Sequence, residues 1–168
     1  MNWSHHHKSR RNLFSRRQVR EWTRLPWSIA EDEFVDRCTR CKKCITACET
    51  QIIAVGDGGF PEVNFQQGEG ECTFCYQCAD ACPESLFLEQ KQSPWRNRID
   101  IQTNCIALHN VECRSCGDMC ETQAILFQLQ VGSCAVPQLD TDKCTGCGAC
   151  LLTCPVSAIT LTADQSKE

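Results

Sequence analysis

The chain has 168 residues, a net charge of −4 at pH 7 and 17 cysteines, the level at which composition implies a scaffold held by sulfur rather than by aliphatic packing. Those cysteines are counted in its 42% apolar residues, so only about a third of the chain is left for aliphatic and aromatic packing, which is thin for this length. No run approaches the roughly 18 to 20 consecutive apolar residues of a membrane span, which excludes a transmembrane helix.

Residues 1–30 carry seven basic side chains against Glu21 alone, whereas the remainder carries ten basic and twenty acidic ones. A basic arm over 1–30, expected to be poorly ordered, therefore precedes an acidic body. Its Arg10, Arg11, Arg16 and Arg17 suit an acidic partner or peripheral contact with an anionic membrane surface. The acidic body argues against nucleic acid. The run 9–14 (SRRNLF) has the start of a twin-arginine signal, but residues 15–21 (SRRQVRE) are charged where a signal peptide needs about 7 to 15 apolar residues. The expected location is the reducing cytoplasm, and an odd cysteine total in tight groups suits metal ligation better than disulfides. His5, His6 and His7 are read as part of the solvated arm.

Four cysteine groups follow: CTRCKKCITACE at 38–49, CTFCYQCADACP at 72–83, CRSCGDMCE at 113–121 with Cys105 upstream, and CTGCGACLLTCP at 144–155. They fall into two tandem pairs, giving domains at 31–90 and 98–163 with a linker at 91–97. Short apolar runs predict strands at 51–55, 60–65, 86–89, 99–102, 124–130, 135–139 and 158–162. Short helices are predicted at 42–48, 76–82, 117–120 and 148–154, two of them stopped by Pro83 and Pro155. The fold class is α+β, with tandem two-cluster ferredoxin-like domains behind a basic N-terminal extension.

The spacing C-x2-C-x2-C-x3-C carries the chemistry. Three thiolates two residues apart can wrap one corner of a cubic cluster, while the fourth lies too far along the helix to close it and ligates the neighbour. This is the run of bacterial ferredoxins with two 4Fe-4S clusters, including the proline after the fourth cysteine. Carried through the chain, it predicts four 4Fe-4S clusters. Cluster one takes Cys38, Cys41, Cys44 and Cys82; cluster two takes Cys72, Cys75, Cys78 and Cys48. Cluster three takes Cys105, Cys113, Cys116 and Cys154; cluster four takes Cys144, Cys147, Cys150 and Cys120. Seven residues separate Cys105 from Cys113 in place of two, which makes Cys105 the least regular ligand. Cys134 is left over and reads as a buried inert thiol. Zinc ribbons also use C-x2-C pairs, but lack the third cysteine that follows here. His109, inside the insertion, reads first as a surface histidine and otherwise as an outer-shell donor or an alternative ligand.

The surroundings of the four groups differ. Arg40, Lys42 and Lys43 in the first favour a reduced, more negative cluster. Phe74 and Tyr76 flank the second and either shield it from water or pack the core. Gly146, Gly148 and Ala149 in the fourth let the backbone approach sulfide.

A narrower resemblance rests on Leu25-Pro26-Trp27-Ser28, Gly58-Gly59-Phe60-Pro61 before Val63-Asn64-Phe65, CTFCYQCADACPESLF over 72–87, Val111-Glu112-Cys113-Arg114, and the fourth group through Thr160. Over residues 9–160 the chain resembles the NapF family, ferredoxin-type accessory proteins of the periplasmic nitrate reductase system. The resemblance implies a cytoplasmic iron–sulfur protein that meets the precursor of the molybdenum-containing catalytic subunit before export and serves its maturation, by cluster assembly or redox conditioning. The competing expectation is a plain one-electron relay. No nucleophile, general base or substrate pocket is legible, so the chain is not expected to be an enzyme.

Overall fold

The computed structural model describes residues 23–95 and 97–163, which form two units of the same plan. In the first, β1 (Ile53–Val55) and β2 (Pro61–Val63) make an antiparallel hairpin. The second has the longer hairpin of β4 (Ile125–Gln130) and β5 (Ser133–Leu139), whose register shifts between Gln128 and Gln130. An outer antiparallel pair clasps each hairpin. In the second unit it is β3 (Asn97–Ile101) with β6 (Ile159–Ala163).

In the first unit the outer pair shrinks to one bridge, Ser28 with Phe87, flanked by hydrogen bonds from Ile29 N–H to the Leu86 carbonyl (3.0 Å) and from Leu88 N–H to the Trp27 carbonyl (2.7 Å). The strand predicted at 86–89 is therefore reduced to a single bridge. Its partner segment begins with Pro26, which has no N–H to donate, and Trp27, whose φ of 60° leaves extended geometry.

The helices are short: α1 (Glu31–Arg37), α2 (Lys43–Ala47), α3 (Gln77–Asp80), α4 (Ser115–Asp118) and α5 (Ala149–Thr153). α1 was not among the predicted elements. Glu31, Asp32 and Glu33 in its first turn and Arg37 in its last complement the helix dipole, Glu33 pairs with Arg37 (2.5 Å), and its one buried residue is Phe34. α4 lies two residues ahead of its predicted span and ends at Asp118. The Cys105 insertion folds as a 3-10 helix, Ile106–His109, closed by Asn110 at φ 64°.

The charge-based boundary at residue 30 meets a packed segment. Leu25 and Trp27 are buried. The Arg24 guanidinium holds Glu31 through two 2.7 Å bonds, donates to the Pro61 carbonyl (3.0 Å), and sits over the Phe34 and Phe60 rings. Structure of the first unit thus begins before residue 30 because Leu25 and Trp27 have apolar surface to bury. Arg10, Arg11, Arg16 and Arg17, and the histidines His5, His6 and His7, lie outside the described residues.

Among the described residues three apolar clusters make the core, and cysteines are part of each or pack against it. Leu25, Ile52, Ile53, Val63 and Phe65 surround Cys44 and Cys78; Ile99, Ile125 and Ile159 surround Cys116 and Cys150; Phe34, Phe60 and Leu86 pack against Cys38 and Cys82. Leu151 and Leu161 touch both of the first two clusters and join the units. The thinness of the aliphatic core read from composition is visible here: the interior is built around thiols.

Candidate iron–sulfur sites

Local backbone geometry repeats from group to group. Residues two after the first cysteine and one after the second take the left-handed conformation: Arg40 and Lys42 (φ 56° and 64°), Phe74 and Tyr76 (56° and 67°), Gly146 and Gly148 (72° and 90°). Glycine does this freely, but in Arg, Lys, Phe and Tyr it costs on the order of 1–3 kcal/mol each and persists only where the surroundings over-determine it. Left-handed residues alternating along a loop turn successive N–H groups to one side, a concavity that suits anions, including the sulfide of iron–sulfur sites. Directly after the second of these residues each loop enters its short helix, α2, α3 or α5, which carries the third cysteine inward. The third cysteines Cys44, Cys78, Cys116 and Cys150 are all buried, whereas Cys41 and Cys75 are exposed.

Cysteines distant in sequence meet in cavities. One, open to solvent at its mouth, is lined by Cys38, Cys41, Cys44 and Cys82. A second is lined by Cys48, Cys72, Cys75 and Cys78. A third is lined by Cys105, Cys113, Cys116 and Cys154. Four thiols apiece suit one kind of occupant. Among the described residues no three His, Cys, Asp or Glu side chains converge as they would on a single metal ion; the thiols stand around a space.

Electrostatics sorts the thiols in the same way. Burial first, then charge on Cys82, Cys38 and Cys41, pushes the Cys44 thiol up to about 11. Burial, then Cys72, Cys75 and Cys48, takes Cys78 to about 12. Burial, then Cys105, Cys113 and Cys154, takes Cys116 to about 11. Cys150 rises to about 12 through burial and its neighbours Cys147 and Cys144, and Cys147 is raised by burial and by Cys120. Cys120 and Cys144 thus act electrostatically on Cys147, and Cys147 and Cys144 on Cys150, as Cys116 does too. Four thiolates side by side in such a space need cations among them, which the iron of a bound cluster would supply.

The fourth cysteines of the second unit are held by backbone donors. Ala124 N–H donates to Cys120 Sγ and Ala158 N–H to Cys154 Sγ, both at 3.2 Å. Burial opposes ionisation of Cys120, but bonds from the Thr122 hydroxyl and the amides of Ile125, Ala124 and Thr122 outweigh it and lower its pKa. Thr50 stands 3.6 Å from Cys48 as Thr122 does from Cys120. These threonines were missed in the sequence, although Cys-Glu-Thr-Gln recurs at 48–51 and 120–123.

Each site has its own wall. Arg40 and Lys42 line the first, and Arg40 lies over the Phe60 ring at 4.6 Å. Cys41 is lowered chiefly by the Lys43 amide. Trp27, Phe74 and Tyr76 wall the second, with Trp27 edge-on to Tyr76 at 5.1 Å and to Phe74 at 6.1 Å. Trp27 went unseen as a wall residue because it fell inside the charged arm, although Leu25-Pro26-Trp27 is its one apolar triplet. Ile101, Ile106, Phe127 and Val156 line the third. His109 donates to the Thr103 carbonyl (2.8 Å) and lines none of the three cavities. Cys134, half-buried in β5, lines none either.

Paired cysteine groups with a crossed fourth thiol, set between clasped hairpins, define a ferredoxin-type iron–sulfur protein. The 4Fe-4S dicluster domain family matches residues 21–87, and the 4Fe-4S binding domain family matches residues 137–160. The Ferredoxin-type protein NapF of Escherichia coli (strain K12) is 47% identical over 154 residues, covering 90% of this chain and 93% of that protein. Its counterpart in Haemophilus influenzae is 51% identical over 145 residues, covering 86% and 81%. The methylamine utilization ferredoxin-type protein MauM of Methylorubrum extorquens is 27% identical over 145 residues, covering 76% and 65%. The chain belongs to the NapF family of ferredoxin-type proteins, and its cofactors are 4Fe-4S clusters. Among the described residues no helix is long and apolar enough to cross a membrane.

Proposed function

We propose that the chain is a cytoplasmic protein with four 4Fe-4S clusters, held by the four crossed cysteine sets, that serves maturation of the catalytic subunit of periplasmic nitrate reductase before export. The observation that supports the cluster reading most is the exchange of Cys48 and Cys82 between two cavities, each lined by four thiols. A 4Fe-4S cluster bound there would supply one-electron chemistry. The chain's own residues do the rest: sixteen thiols bind, the left-handed loops present their amides, and the aromatic wall of the second site keeps water out. Cys105 completes the third set despite the insertion.

The partner is the precursor of that catalytic subunit, met by an acidic surface that takes Arg10, Arg11, Arg16 and Arg17. Membership of the NapF family supports this reading. The test is co-purification of the precursor from anaerobic cytoplasmic extract with the intact protein and with residues 1–22 deleted, which spares Thr23 and Arg24, alongside the iron and molybdenum content of the reductase. Retention by the intact protein, weakened by the deletion and by salt above the ionic strength where the Debye length is about 8 Å, supports the reading. No retention, together with a fully loaded reductase in the protein's absence, favours a one-electron relay. Backbone contact between the second and fourth cysteine groups is the observation that favours that second reading.

A further inference from the structure

The two units are joined by more than their linker. Cys72 N–H donates to the Cys147 carbonyl at 2.8 Å, so the residue that opens the second cysteine group is bonded to the middle of the fourth. Trp95, in the expected linker, reinforces this contact from both sides. Its indole N–H donates to the Thr145 carbonyl (2.9 Å) inside the fourth loop. Its ring packs edge-on against Phe74 of the second loop at 5.7 Å and against Phe65 at 6.0 Å. Two glycines show how closely the units approach. A Cβ on Gly70 would stand 2.6 Å from Leu152 Cδ2, and one on Gly148 would stand 2.1 Å from the Phe65 ring.

Inside each unit the sites are neighbours through their third cysteines: Cys44 and Cys78 share one core cluster, and Cys116 and Cys150 another. The first cavity is lined by residues 34–87 and the third by residues 101–159, each within its own unit. Both hydrogen bonds of the junction, by contrast, end on the fourth loop.

We propose that Trp95 is a positioning residue that clamps the second thiol set against the fourth, making this contact the electronic junction of the molecule and ordering the sites first, second, fourth, third. The proposal rests on the four-cluster reading above. A continuous path of covalent and hydrogen bonds between ligand residues couples two redox centres better than a gap of the same length. Passage across it moves one electron from one site to the other, with no bond made or broken and no proton moved. The donor is an external one-electron reductant.

The test uses the full-length protein, anaerobically purified and fully reduced with dithionite, in the wild type and in Trp95→Leu and Gly70→Ala. The first variant removes the clamp; the second, at a glycine with φ 75°, strains the backbone and wedges a methyl group against Leu152, with every cysteine and Trp95 unmutated. Electron paramagnetic resonance at several frequencies reads the magnetic interactions among reduced clusters. In the wild type they should link all four sites. In both variants, at unchanged iron content, the interaction across the junction should be lost, leaving two independent pairs. Two independent pairs in the fully loaded wild type, or a wild-type spectrum in both variants, overturns the proposal. Loss of iron from both variants would make Trp95 and Gly70 purely structural and also overturn it. A wild-type iron content far below four sites refutes the four-cluster reading instead, and takes the site order with it.

Discussion

Cys48 and Cys82 each end one cysteine group and line the cavity of the other. The geometry behind this is that each short helix buries its third cysteine and delivers its fourth to the far side of the core, where the partner loop waits. Cys48→Ser should therefore damage the second cluster and leave the first, whereas Cys41→Ser should damage the first. Mössbauer or resonance spectra resolved by site check this, and an effect of Cys48→Ser on the first site alone would contradict the crossed arrangement.

The third site should depend on Cys105. The insertion places the 3-10 helix Ile106–His109 between Cys105 and Cys113, yet Cys105 lines the same cavity as Cys113, Cys116 and Cys154. Cys105→Ala should leave a three-iron or labile species at one site and three intact clusters. Four unchanged clusters in that variant would mean that Cys105 is not a ligand.

Arg24 should carry much of the attachment of the segment before α1. Arg24→Leu removes two bonds to Glu31 and one to the Pro61 carbonyl and leaves that carbonyl without this donor. The cost should be on the order of 2 kcal/mol, read as a lowered anaerobic urea midpoint. Glu31→Gln should cost less, because the Pro61 bond and the contacts with Phe34 and Phe60 survive. Equal stability of Arg24→Leu and wild type would show the segment to be held by Leu25 and Trp27 alone.

Cluster insertion should release protons. With Cys44 and Cys116 pushed up to about 11, and Cys78 and Cys150 to about 12, these thiols are protonated near neutral pH until iron displaces the proton. Ligation favours the deprotonated form, so loading should strengthen as pH rises from about 7 toward 9 and weaken as it falls. The free thiols act in the opposite sense on the iron-free fold: their raised pKa values stabilise it below the unfolded thiol pKa of about 8.5, a contribution lost as pH rises toward 11 and 12. Proton uptake or release during anaerobic reconstitution in weak buffer measures the first effect, and pH-independent loading would contradict it.

Much of this architecture was legible because cysteine spacing is a direct statement of ligand geometry. The thiols that line three cavities, the paired hairpins and most of the strands follow from spacing and apolar alternation. Packing decided what spacing could not show. α1 is seven residues long with one buried side chain, Phe34, so no apolar period announces it. Trp27 and Trp95 lay in stretches read as arm and linker, and their roles appear only when Phe74 and Thr145 are brought to them from distant positions. The strand expected at 86–89 failed for a similar reason: its length depends on its partner, and Pro26 and the left-handed Trp27 allow that partner one bridge.

The central claim is four clusters in sixteen crossed thiols, and the iron and sulfide content of anaerobically purified protein tests it most directly, with Mössbauer spectra to identify the species. The account predicts four irons at each of four sites, all as 4Fe-4S, and a loss of far-ultraviolet circular dichroism when they are chelated, because the thiols occupy the core. Zinc as the main metal, a total near eight irons, or an unchanged dichroism spectrum after iron removal would contradict it.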